Sequence, residues 1–467
     1  MKTNLPIQFS LVLAGVLVLL CSCNTVTQKV ANCNTLFQAG QYNAAAEVLV
    51  PLPNDQSKAL LPNLHRASSH LMSADFSSCL DDLGAADEGL AIQDRSFNFG
   101  FEYLGRTYDG FMLNTYQALI YWIQGKTDQA RVCFNRLDVL QGRAANRNLR
   151  AITNEQNASR RLQEENPEAC QYLDMALAQL SDYQRLLGRW EGYENYQMPV
   201  GCLLSGLFRL FYTELDSDAT MAVAQLGKAF GMTNSEAARR LWTLAEQRAS
   251  GRLPAEALDD CVFVLFENGL GPVKEERRYE LVIPMSMGPL YVGVALPMLV
   301  ERAAPYPYLE VRENGNVIGI TEMFCSIDRL VATEFRSEMK AVIAGNVTCT
   351  IIKAVAQVLA EEYVCKKYGK FASWCVGIVG SLASRYTTKA DRRNWDLLPK
   401  EYQVAIIPRP QTGRLELTVP GMNTPITVVE LPSGPSLVYV KIPLAGKPAL
   451  VEVTGPKKLN VSRMFEI

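Results

Sequence analysis

The sequence predicts an α+β protein, with a helical N-terminal domain followed by a mixed α/β domain that ends in antiparallel strands. Apolar residues recur every three or four positions across residues 34–250, which is typical of helices. Short apolar runs separated by Pro and Gly turns follow Cys261, which is typical of strands. We therefore expect a helical, repeat-like domain at residues 34–250 and an α/β domain at residues 261–467, with its last strands at about 400–455.

The first 22 residues resemble a bacterial lipoprotein signal peptide. The apolar stretch from Phe9 to Leu20 is too short for a stable membrane-spanning helix. Leu20-Cys21-Ser22-Cys23 then matches the lipobox, in which the Cys after a small residue is lipidated, with Cys21 as a small departure. We expect residues 1–22 to be removed, Cys23 to carry the lipid, and residues 23–33 to form a tether. An ordinary cleaved signal peptide or a short membrane anchor is the alternative.

The residue after the predicted lipidation site bears on localisation. In Gram-negative lipoproteins an Asp at this position favours the inner membrane, so Asn24 favours the outer membrane. No acidic run follows Cys23, which favours the periplasmic side. Each buried CH₂ of an acyl chain contributes about 0.8 kcal/mol, so several chains hold a protein on the membrane. We expect an outer-membrane lipoprotein that faces the periplasm.

A weak internal repeat predicts tetratricopeptide-like helical hairpins. Tyr42 and Phe76 lie 34 residues apart, which is the tetratricopeptide period. Two later copies, which break the period, cover Tyr116–Phe134 and Leu204–Ala229. A generic bundle of helical hairpins is the alternative to a true solenoid. The predicted turn glycines are Gly40 and Gly125, and the predicted small packing residues are Ala45, Cys79 and Ala130.

Residues 127–163 are predicted to form one long polar helix with a basic character. Seven arginines lie in this stretch, Arg131 among them, and we interpret them mainly as a solvated face. Asn166-Pro167 ends the helix, and a new helix is expected near Glu168.

The second half begins with predicted strands and continues with predicted helices. Asn314-Gly315 is the strongest hairpin signal, between strands at Tyr308–Arg312 and Val317–Ile320. Helices are expected at Ile327–Tyr368, with a break at Gly345-Asn346, and at Phe371–Tyr386. The other predicted strands are Cys261–Phe266, Tyr279–Pro284, Tyr291–Leu296, Tyr402–Ile407, Arg414–Val419, Ile426–Leu431, Leu437–Ile442 and Leu450–Val453. We expect the last five of them to form an antiparallel sheet or a small sandwich.

The residue types that common catalytic and metal sites need are scarce. The only histidines, His65 and His70, lie five residues apart and do not share a helical face. The sequence has no P-loop, no nucleophile elbow and no Cys-x-x-Cys pair. A net charge of −2 and a pI of about 6.0 disfavour a nucleic-acid-binding protein. We therefore expect no enzymatic activity, no cofactor, no metal and no nucleic-acid partner.

Adjacent acidic residues leave one enzymatic alternative open. Glu275-Glu276 and Glu361-Glu362 are such pairs, and their favoured interpretation is solvated charge. A glycan hydrolase needs two carboxyl groups roughly 5–10 Å apart across a cleft. A carboxylate-based hydrolase of envelope glycans is therefore the enzymatic alternative.

A tryptophan flanked by charges precedes the last strands. The segment reads Asp391-Arg392-Arg393-Asn394-Trp395 and is followed by Pro399. We interpret it as a joint between domains, in which Trp395 caps a sheet, in preference to a binding epitope.

Four short segments can be compared with known families. They are Tyr108…Leu113-Asn114-Thr115-Tyr116…Ala130-Arg131-Val132, Gly271-Pro272-Val273-Lys274-Glu275, Ala295-Leu296-Pro297, and Ala390-Asp391-Arg392-Arg393-Asn394-Trp395…Leu398-Pro399. Together they resemble an uncharacterised bacterial outer-membrane lipoprotein family. Arg393-Asn394 departs from the family, in which small or hydroxyl residues are common there. The resemblance covers about residues 34–455 and implies a tetratricopeptide-like helical front half. Some family members are encoded beside a lipoprotein activator of penicillin-binding proteins, which implies a link to peptidoglycan synthesis.

These observations predict a membrane-anchored, non-enzymatic scaffold or accessory factor of the cell envelope. We expect an envelope protein as its partner, the membrane as a second partner through the lipid, and peptidoglycan as a further candidate. Beside the glycan hydrolase, the other alternative is an assembly or secretion accessory lipoprotein. The candidate partner-binding residues are Tyr108, Asn114, Tyr116, Arg131, Asp391, Arg392 and Trp395.

Overall fold

The computed structural model describes residues 26–50, 60–93, 103, 105–193, 197–286, 288–368, 390–422, 424–456 and 463–465. The predicted signal peptide, the predicted lipidation site Cys23 and the predicted helix Phe371–Tyr386 lie outside these residues. The α+β prediction is confirmed, because helices occupy the N-terminal part and antiparallel strands predominate after Cys261.

The first six helices form three pairs joined by tight turns, at the positions where the sequence predicts hairpins. The first helix corrects the predicted tether, because it already includes residues 26–33 and buries Val30 and Cys33. Val30, Cys33 and Phe37 share one face of this helix, and that apolar stripe packs into the core. The pairs are α1 (26–38) with α2 (Tyr42–Glu47), α3 (Leu60–Met72) with α4 (Phe76–Gln93), and α5 (Thr107–Ile123) with α6 (Thr127–Glu165).

The three turns have the same backbone geometry. Gly40, Ala74 and Gly125 have φ values of 82°, 58° and 67°, and each N–H donates to the carbonyl three residues earlier, at 2.8–3.0 Å. The next N–H in each turn donates to the carbonyl five residues earlier, which is the Schellman pattern at a helix end. Five positions after each turn residue stands a buried small residue, where the second helix crosses the first: Ala45, Cys79 and Ala130.

The predicted long helix is confirmed as α6, and Pro167 starts the next helix as predicted. The fourth predicted hairpin is also a helix pair, in which Leu226 packs closely against Gly206. An added Cβ at Gly206 would lie 2.5 Å from Leu226, so only glycine fits. The remaining helices of this half are α7 (Pro167–Cys170), α8 (Leu173–Ala178), α9 (Ser181–Gly188), α10 (Pro199–Phe211), α11 (Asp216–Thr233) and α12 (Glu236–Ala249).

The strands form a six-stranded sheet, a four-stranded sheet and a separate two-stranded hairpin. The six-stranded sheet has the order β12-β11-β10-β1-β7-β6, the four-stranded sheet has the order β5-β4-β8-β9, and β2 pairs with β3. The strands are β1 (Cys261–Asn268), β2 (Val273–Ile283), β3 (Leu290–Val300), β4 (Glu310–Glu313), β5 (Asn316–Ile320), β6 (Glu322–Ser326), β7 (Glu401–Pro408), β8 (Arg414–Thr418), β9 (Thr427–Glu430), β10 (Ser436–Ile442), β11 (Ala449–Thr454) and β12 (Arg463–Phe465).

The predicted strands are present. The last five divide between the six-stranded sheet (β7, β10 and β11) and the four-stranded sheet (β8 and β9), and the pairs β10–β11 and β8–β9 are antiparallel as predicted. β1, which is not among these five, runs parallel to β10 and antiparallel to β7. Asn314 and Gly315 both have positive φ values at the predicted hairpin between β4 and β5. That conformation is the one that an Asn-Gly turn is suited to adopt.

The six-stranded sheet is the middle layer of the molecule. Val262, Val264 and Phe266 on β1 pack against the four-stranded sheet, whereas Phe263 and Leu265 pack against the helices. Burial on both faces explains why β1 is an almost continuous apolar run. The helix-side core contains residues from both predicted domains, from Val30 to Leu450.

Two further helices lie in the described part of the second half. α13 (Ile327–Val342) passes through a π-helical segment (Ile343–Val347) into α14 (Thr348–Tyr368), so the predicted break at Gly345-Asn346 is confirmed as a change of helix type. The continuous stretch Ile327–Lys367 has a mean hydropathy of 1.6 in its most apolar window. It is the one helix among the described residues that is long and apolar enough to span a membrane, although 39% of that window is buried within the protein.

Candidate functional site

Near its start, strand β2 carries five consecutive charged residues (274–278) whose side chains alternate between its two faces. Lys274 and Glu276 lie on the face that meets α13 and residue 390. Glu275 and Arg277 lie on the other face, beside the end of α9. The start of β2 therefore separates a charged cluster from an open groove.

Arg106, immediately before α5, is at the centre of that cluster. Its guanidinium lies 2.7 Å from the carboxylate of Glu338 and 3.7 Å from that of Asp391. The ammonium of Lys274 lies 3.4 Å from Glu338. Burial, and then the charge of Arg106, lower the pKa of Lys274. We call Arg106, Lys274, Glu334, Glu338 and Asp391 the Arg106 cluster.

Glu334 of this cluster caps the N-terminus of α5. Its carboxylate accepts hydrogen bonds from the N–H of Thr107 at 2.8 Å and of Tyr108 at 3.3 Å, and from the Thr107 hydroxyl at 3.1 Å. N–H groups in the first turn of a helix have no partner within the helix, and the helix dipole favours a negative charge beside them. Burial raises the pKa of Glu334, while these hydrogen bonds and Arg106 favour its ionised form.

Residues 390–393 form the solvent-facing edge of the cluster. Glu276 accepts a hydrogen bond from the N–H of Ala390 at 3.1 Å, and Asp391 accepts one from the Arg393 side chain at 2.7 Å. Burial acts to raise the pKa of Asp391, but the Arg393 hydrogen bonds and the charge of Arg106 outweigh it and hold the pKa below its usual range.

Several charged side chains at this edge are open to solvent. Arg392 is exposed, and so is Arg278, which lies 2.7 Å from Glu276. The surface thus presents more guanidinium than carboxylate groups. We call Glu276, Arg278, Asp391, Arg392 and Arg393 the junction surface.

Tyr108 and Asn394 connect the cluster to the protein interior. The Tyr108 hydroxyl donates to the Asn394 side-chain oxygen at 2.5 Å, and the Asn394 amide donates to the carbonyl of Pro272 at 3.2 Å. On the same helix, Asp109 accepts a hydrogen bond from Tyr103 at 2.5 Å. Burial raises the pKa of Asp109 to about 7.

Trp395 and Tyr116 continue this connection towards the sheet. The indole of Trp395 donates to the Ser68 hydroxyl at 2.8 Å, and its ring meets that of Tyr116 edge-on at 6.0 Å. The Tyr116 hydroxyl in turn donates to Glu267 at 2.7 Å. The site thus extends from the exposed Arg392 to the centre of the six-stranded sheet.

Glu267 is held by four donors in a fully buried network. Tyr116, Tyr402 and Tyr439 donate hydrogen bonds to its carboxylate at 2.6–3.0 Å, and Lys441 forms an ion pair with it. Burial raises the pKa of the three tyrosines, so they remain protonated donors. Burial also lowers the pKa of Lys441. A network of this kind fixes how the helices lie on the sheet, because each member depends on its partners.

The chain matches no family model, no curated protein and no solved structure. The resemblance to the lipoprotein family therefore depends on the four sequence segments alone. Three of them meet at Asn394, which contacts Tyr108 from the first and Pro272 from the second. The other, Ala295-Leu296-Pro297, lies on β3 and pairs with β2.

The predicted site residues divide into those that meet here and those that do not. Tyr108, Tyr116, Asp391, Arg392 and Trp395 belong to this continuous site. Asn114 is buried and bonds to the carbonyl of Gly110 within α5. Arg131 forms an ion pair with Asp218 and lies over the Phe208 ring, so it joins α6 to the α10–α11 pair.

Burial corrects part of the predicted partner surface. Tyr108, Asn114, Tyr116 and Trp395 are each at most 3% exposed and lie in the core. The reason is the position of α5, which is covered on almost every side and therefore has few residues left to face solvent. Of the predicted residues, Arg392 and, in part, Asp391 remain available to a partner.

Sequence reasoning missed several residues of the site. Arg106, Glu334 and Glu338 carry no local motif, and they meet only because α13 packs beside the start of α5. Glu267 and Lys441 did leave a signal, since each is a single charge inside an otherwise apolar strand. A charge in such a position is buried with a partner in most proteins.

The two histidines and the buried cysteines have protein side chains and backbone as their surroundings in the part of the chain that the structure describes. His65 is buried, which lowers its pKa to about 4, and His70 lies 2.8 Å from Asp82. Among the described residues, no group of three or more His, Cys, Asp or Glu side chains is arranged to hold a metal ion. The buried cysteines pack as small apolar residues; they are Cys33, Cys79, Cys133, Cys202 and Cys325.

Proposed function

We propose that this chain is a lipid-anchored envelope lipoprotein that holds a protein partner at its junction surface. The anchor is Cys23, the membrane is the outer membrane, and the partner is reached on the periplasmic side. The lipobox supports the anchor. Three of the family-like segments meet at the buried Asn394, in the layer directly beneath this charged surface, and this supports the docking role.

The hydrogen-bonded arrangement of the junction surface is the observation that carries this proposal. Asp391 and Glu276 are tied by hydrogen bonds to Arg393, Arg278 and the backbone of Ala390, and the layer below is held by Tyr108 and Asn394. Arg392 is exposed on this fixed base. Charges presented on a preorganised support give specificity and fast association, because little ordering is needed on binding.

The anchor is tested by metabolic labelling with an alkyne-bearing fatty acid. The unaltered chain should incorporate the label and fractionate with outer membranes. A Cys23→Ala variant should lose both properties, whereas Cys33→Ala, which changes a buried cysteine of α1, should keep the label. Labelling of the Cys23→Ala variant would contradict the proposed anchor.

The docking role is tested by site-specific photocrosslinking in intact cells. A photoreactive amino acid in place of Arg392 should capture a discrete envelope protein, and the same amino acid in place of Arg414, exposed on β8, should not. Arg392→Glu should reduce co-purification of that protein, while Arg414→Glu should not. Equal capture from both positions would contradict a specific junction surface.

The same experiment separates the alternatives. Capture of a secretion or assembly machine would favour the accessory role, and capture of a peptidoglycan synthase would favour the link implied by the resemblance. The hydrolase alternative requires purified protein to release fragments from peptidoglycan, with loss of that release in Glu275→Gln or Glu276→Gln. The hydrogen bonds from Arg278 and Ala390 lower the pKa of Glu276, which suits a base better than the proton donor that such a reaction also needs.

A further inference from the structure

A groove of about 350 Å³ lies between the end of α9 and the first residues of β2, on the opposite face of β2 from the Arg106 cluster. Its floor is apolar and includes Leu186, Trp190 and Met298, all of them partly exposed. Small-ligand sites have volumes of roughly 300–1,000 Å³ and a mainly apolar lining with a few polar groups. The groove has that size, and its lining combines five apolar residues with four charged ones.

The polar groups of the groove differ from those on the other face of β2. Lys274 and Glu276 are paired, with Glu338 and Arg278 respectively. Arg189, Glu275 and Arg277 are exposed, and none of their side chains forms a hydrogen bond or salt bridge within the part of the chain that the structure describes. Two guanidinium groups and one carboxylate are thus open to a ligand.

Charge complementarity determines what such a groove can hold. Guanidinium groups bind carboxylates through paired N–H donors, so Arg189 and Arg277 favour a free carboxylate. The carboxylate of Glu275 favours an ammonium group or amide N–H donors. The apolar floor favours a side chain such as leucine. A neutral saccharide would satisfy the floor but would leave these charges without partners of opposite sign.

We propose that this groove binds a short peptide with a free α-carboxylate and a free α-amino group. Its carboxylate lies between Arg189 and Arg277, its amino group lies at Glu275, and its apolar side chain packs on Leu186, Trp190 and Met298. Glu276, which is paired with Arg278, borders both this groove and the junction surface, but the proposed ligand contacts are made by other residues. The proposal therefore stands or fails independently of the proposed scaffold role.

Methyl NMR of the full chain in detergent micelles tests the proposal directly. Met298 lines the groove, and a Met298→Leu variant identifies its signal in protein labelled with ¹³C-methyl methionine. Titration with alanyl-leucine should shift the Met298 signal saturably. Alanyl-leucinamide, which lacks the carboxylate, should bind at least about tenfold more weakly, because a charge-assisted pair is lost.

Matched variants separate binding in the groove from binding elsewhere. Arg189→Gln and Arg277→Gln should each weaken alanyl-leucine binding about tenfold, and Glu275→Gln should weaken it while leaving N-acetyl-alanyl-leucine unaffected. Arg185→Gln, one turn before Arg189 and paired with Asp182, should bind like the unaltered chain. Absence of a saturable Met298 shift, equal affinity for the amide, or tighter binding of chitotriose would overturn the proposal.

Discussion

The hydroxyl of Tyr116 on α5 lies 2.7 Å from the carboxylate of Glu267 on β1, and both side chains are buried. This hydrogen bond joins the central helix of the first half to the central strand of the second. Lys441 completes the arrangement, because its ammonium contacts Glu267 and donates to the Tyr116 hydroxyl at 3.1 Å. The two halves are therefore connected by a polar network inside an apolar core.

Tyr116→Phe removes one donor to this buried carboxylate and also the acceptor of a hydrogen bond from Lys441. A hydrogen bond to a charged group contributes about 1–3 kcal/mol, so we expect the free energy of unfolding to fall by that amount. Urea unfolding followed by circular dichroism measures it. Tyr291→Phe is the matched control, since Tyr291 is 59% exposed and the change should be close to neutral. Equal effects of the two substitutions would show that the Tyr116 hydroxyl does not stabilise the fold.

Lys441→Met should be more damaging, because it leaves Glu267 without the cation of its ion pair. Removing one partner of a buried ion pair costs about 3–5 kcal/mol. Lys353→Met, an exposed change on α14, should cost far less. If Lys441→Met lowered the free energy of unfolding by less than Tyr116→Phe does, the tyrosines alone would compensate the buried charge of Glu267. Urea midpoints compared at constant slope measure the difference.

The fold was predictable where the residue types of a short segment determine its backbone conformation. Asn314-Gly315 predicts its hairpin because both residues tolerate a positive φ, and Pro167 starts α7 because proline fits the first turn of a helix. The parallel pairing of β1 with β10 was not predictable. These strands are separated by more than 160 residues, and no local signal states which strands become neighbours.

The sequence predicted which residues belong to the site better than it predicted which of them are exposed and which contact one another. Tyr108, Asp391 and Trp395 were identified from their segments, but whether a residue such as Tyr108 is exposed depends on what packs around α5. Glu267 and Lys441 required the sheet order, since they lie side by side only because β1 and β10 pair in that register. Pairing across a sheet is a tertiary property that residue types alone do not determine.

Ala74→Gly should stabilise the protein. Ala74 has φ 58° at the turn position where the equivalent residues are Gly40 and Gly125, and a Cβ is strained in that conformation. Relief of this strain should raise the free energy of unfolding by about 0.5–1 kcal/mol, even after the greater entropy of glycine in the unfolded chain. Ala360→Gly, at an exposed position within α14, should instead cost about 1 kcal/mol. Thermal unfolding of both variants tests the contrast, and destabilisation by both would refute it.

Asp109→Asn should change how stability depends on pH. Burial raises the pKa of Asp109 from 3.8 to about 7, so the folded state binds this proton more tightly than the unfolded state does. Its contribution to stability is therefore fully present below pH 3.8 and is lost as the pH rises through about 7. Asparagine does not titrate and still accepts hydrogen bonds from Tyr103 and from the N–H of Arg106.

The measurement is the difference in the free energy of unfolding between the unaltered chain and Asp109→Asn, followed as a function of pH. The stability of the unaltered chain relative to the variant should fall between pH 3.8 and about 7 and then level off. Other titrating groups are common to both proteins and cancel in the difference. Asp182→Asn, which changes an exposed carboxylate, is the matched control. A flat curve for Asp109→Asn would show that this carboxyl does not titrate in that range.

Glu334 supplies the cap of α5 from another helix, and its removal should loosen the start of α5. The carboxylate accepts hydrogen bonds from the N–H groups of Thr107 and Tyr108, which the helix itself leaves without acceptors. The helix therefore begins correctly only when α13 is in place. This arrangement ties the buried end of the site, at Tyr108, to the packing of α13.

Glu334→Gln should lower the free energy of unfolding by about 1–3 kcal/mol, because one acceptor oxygen is replaced by an amide donor that faces other donors. Glu334→Ala should cost more, since both acceptors are lost and a cavity remains. Glu301→Gln, which changes a mostly exposed carboxylate, is the control and should be nearly neutral. Hydrogen exchange gives the decisive measurement, because loss of the cap should speed exchange at Thr107 and Tyr108 more than in α11. Uniform acceleration across both helices would indicate general destabilisation and would contradict a specific cap at α5.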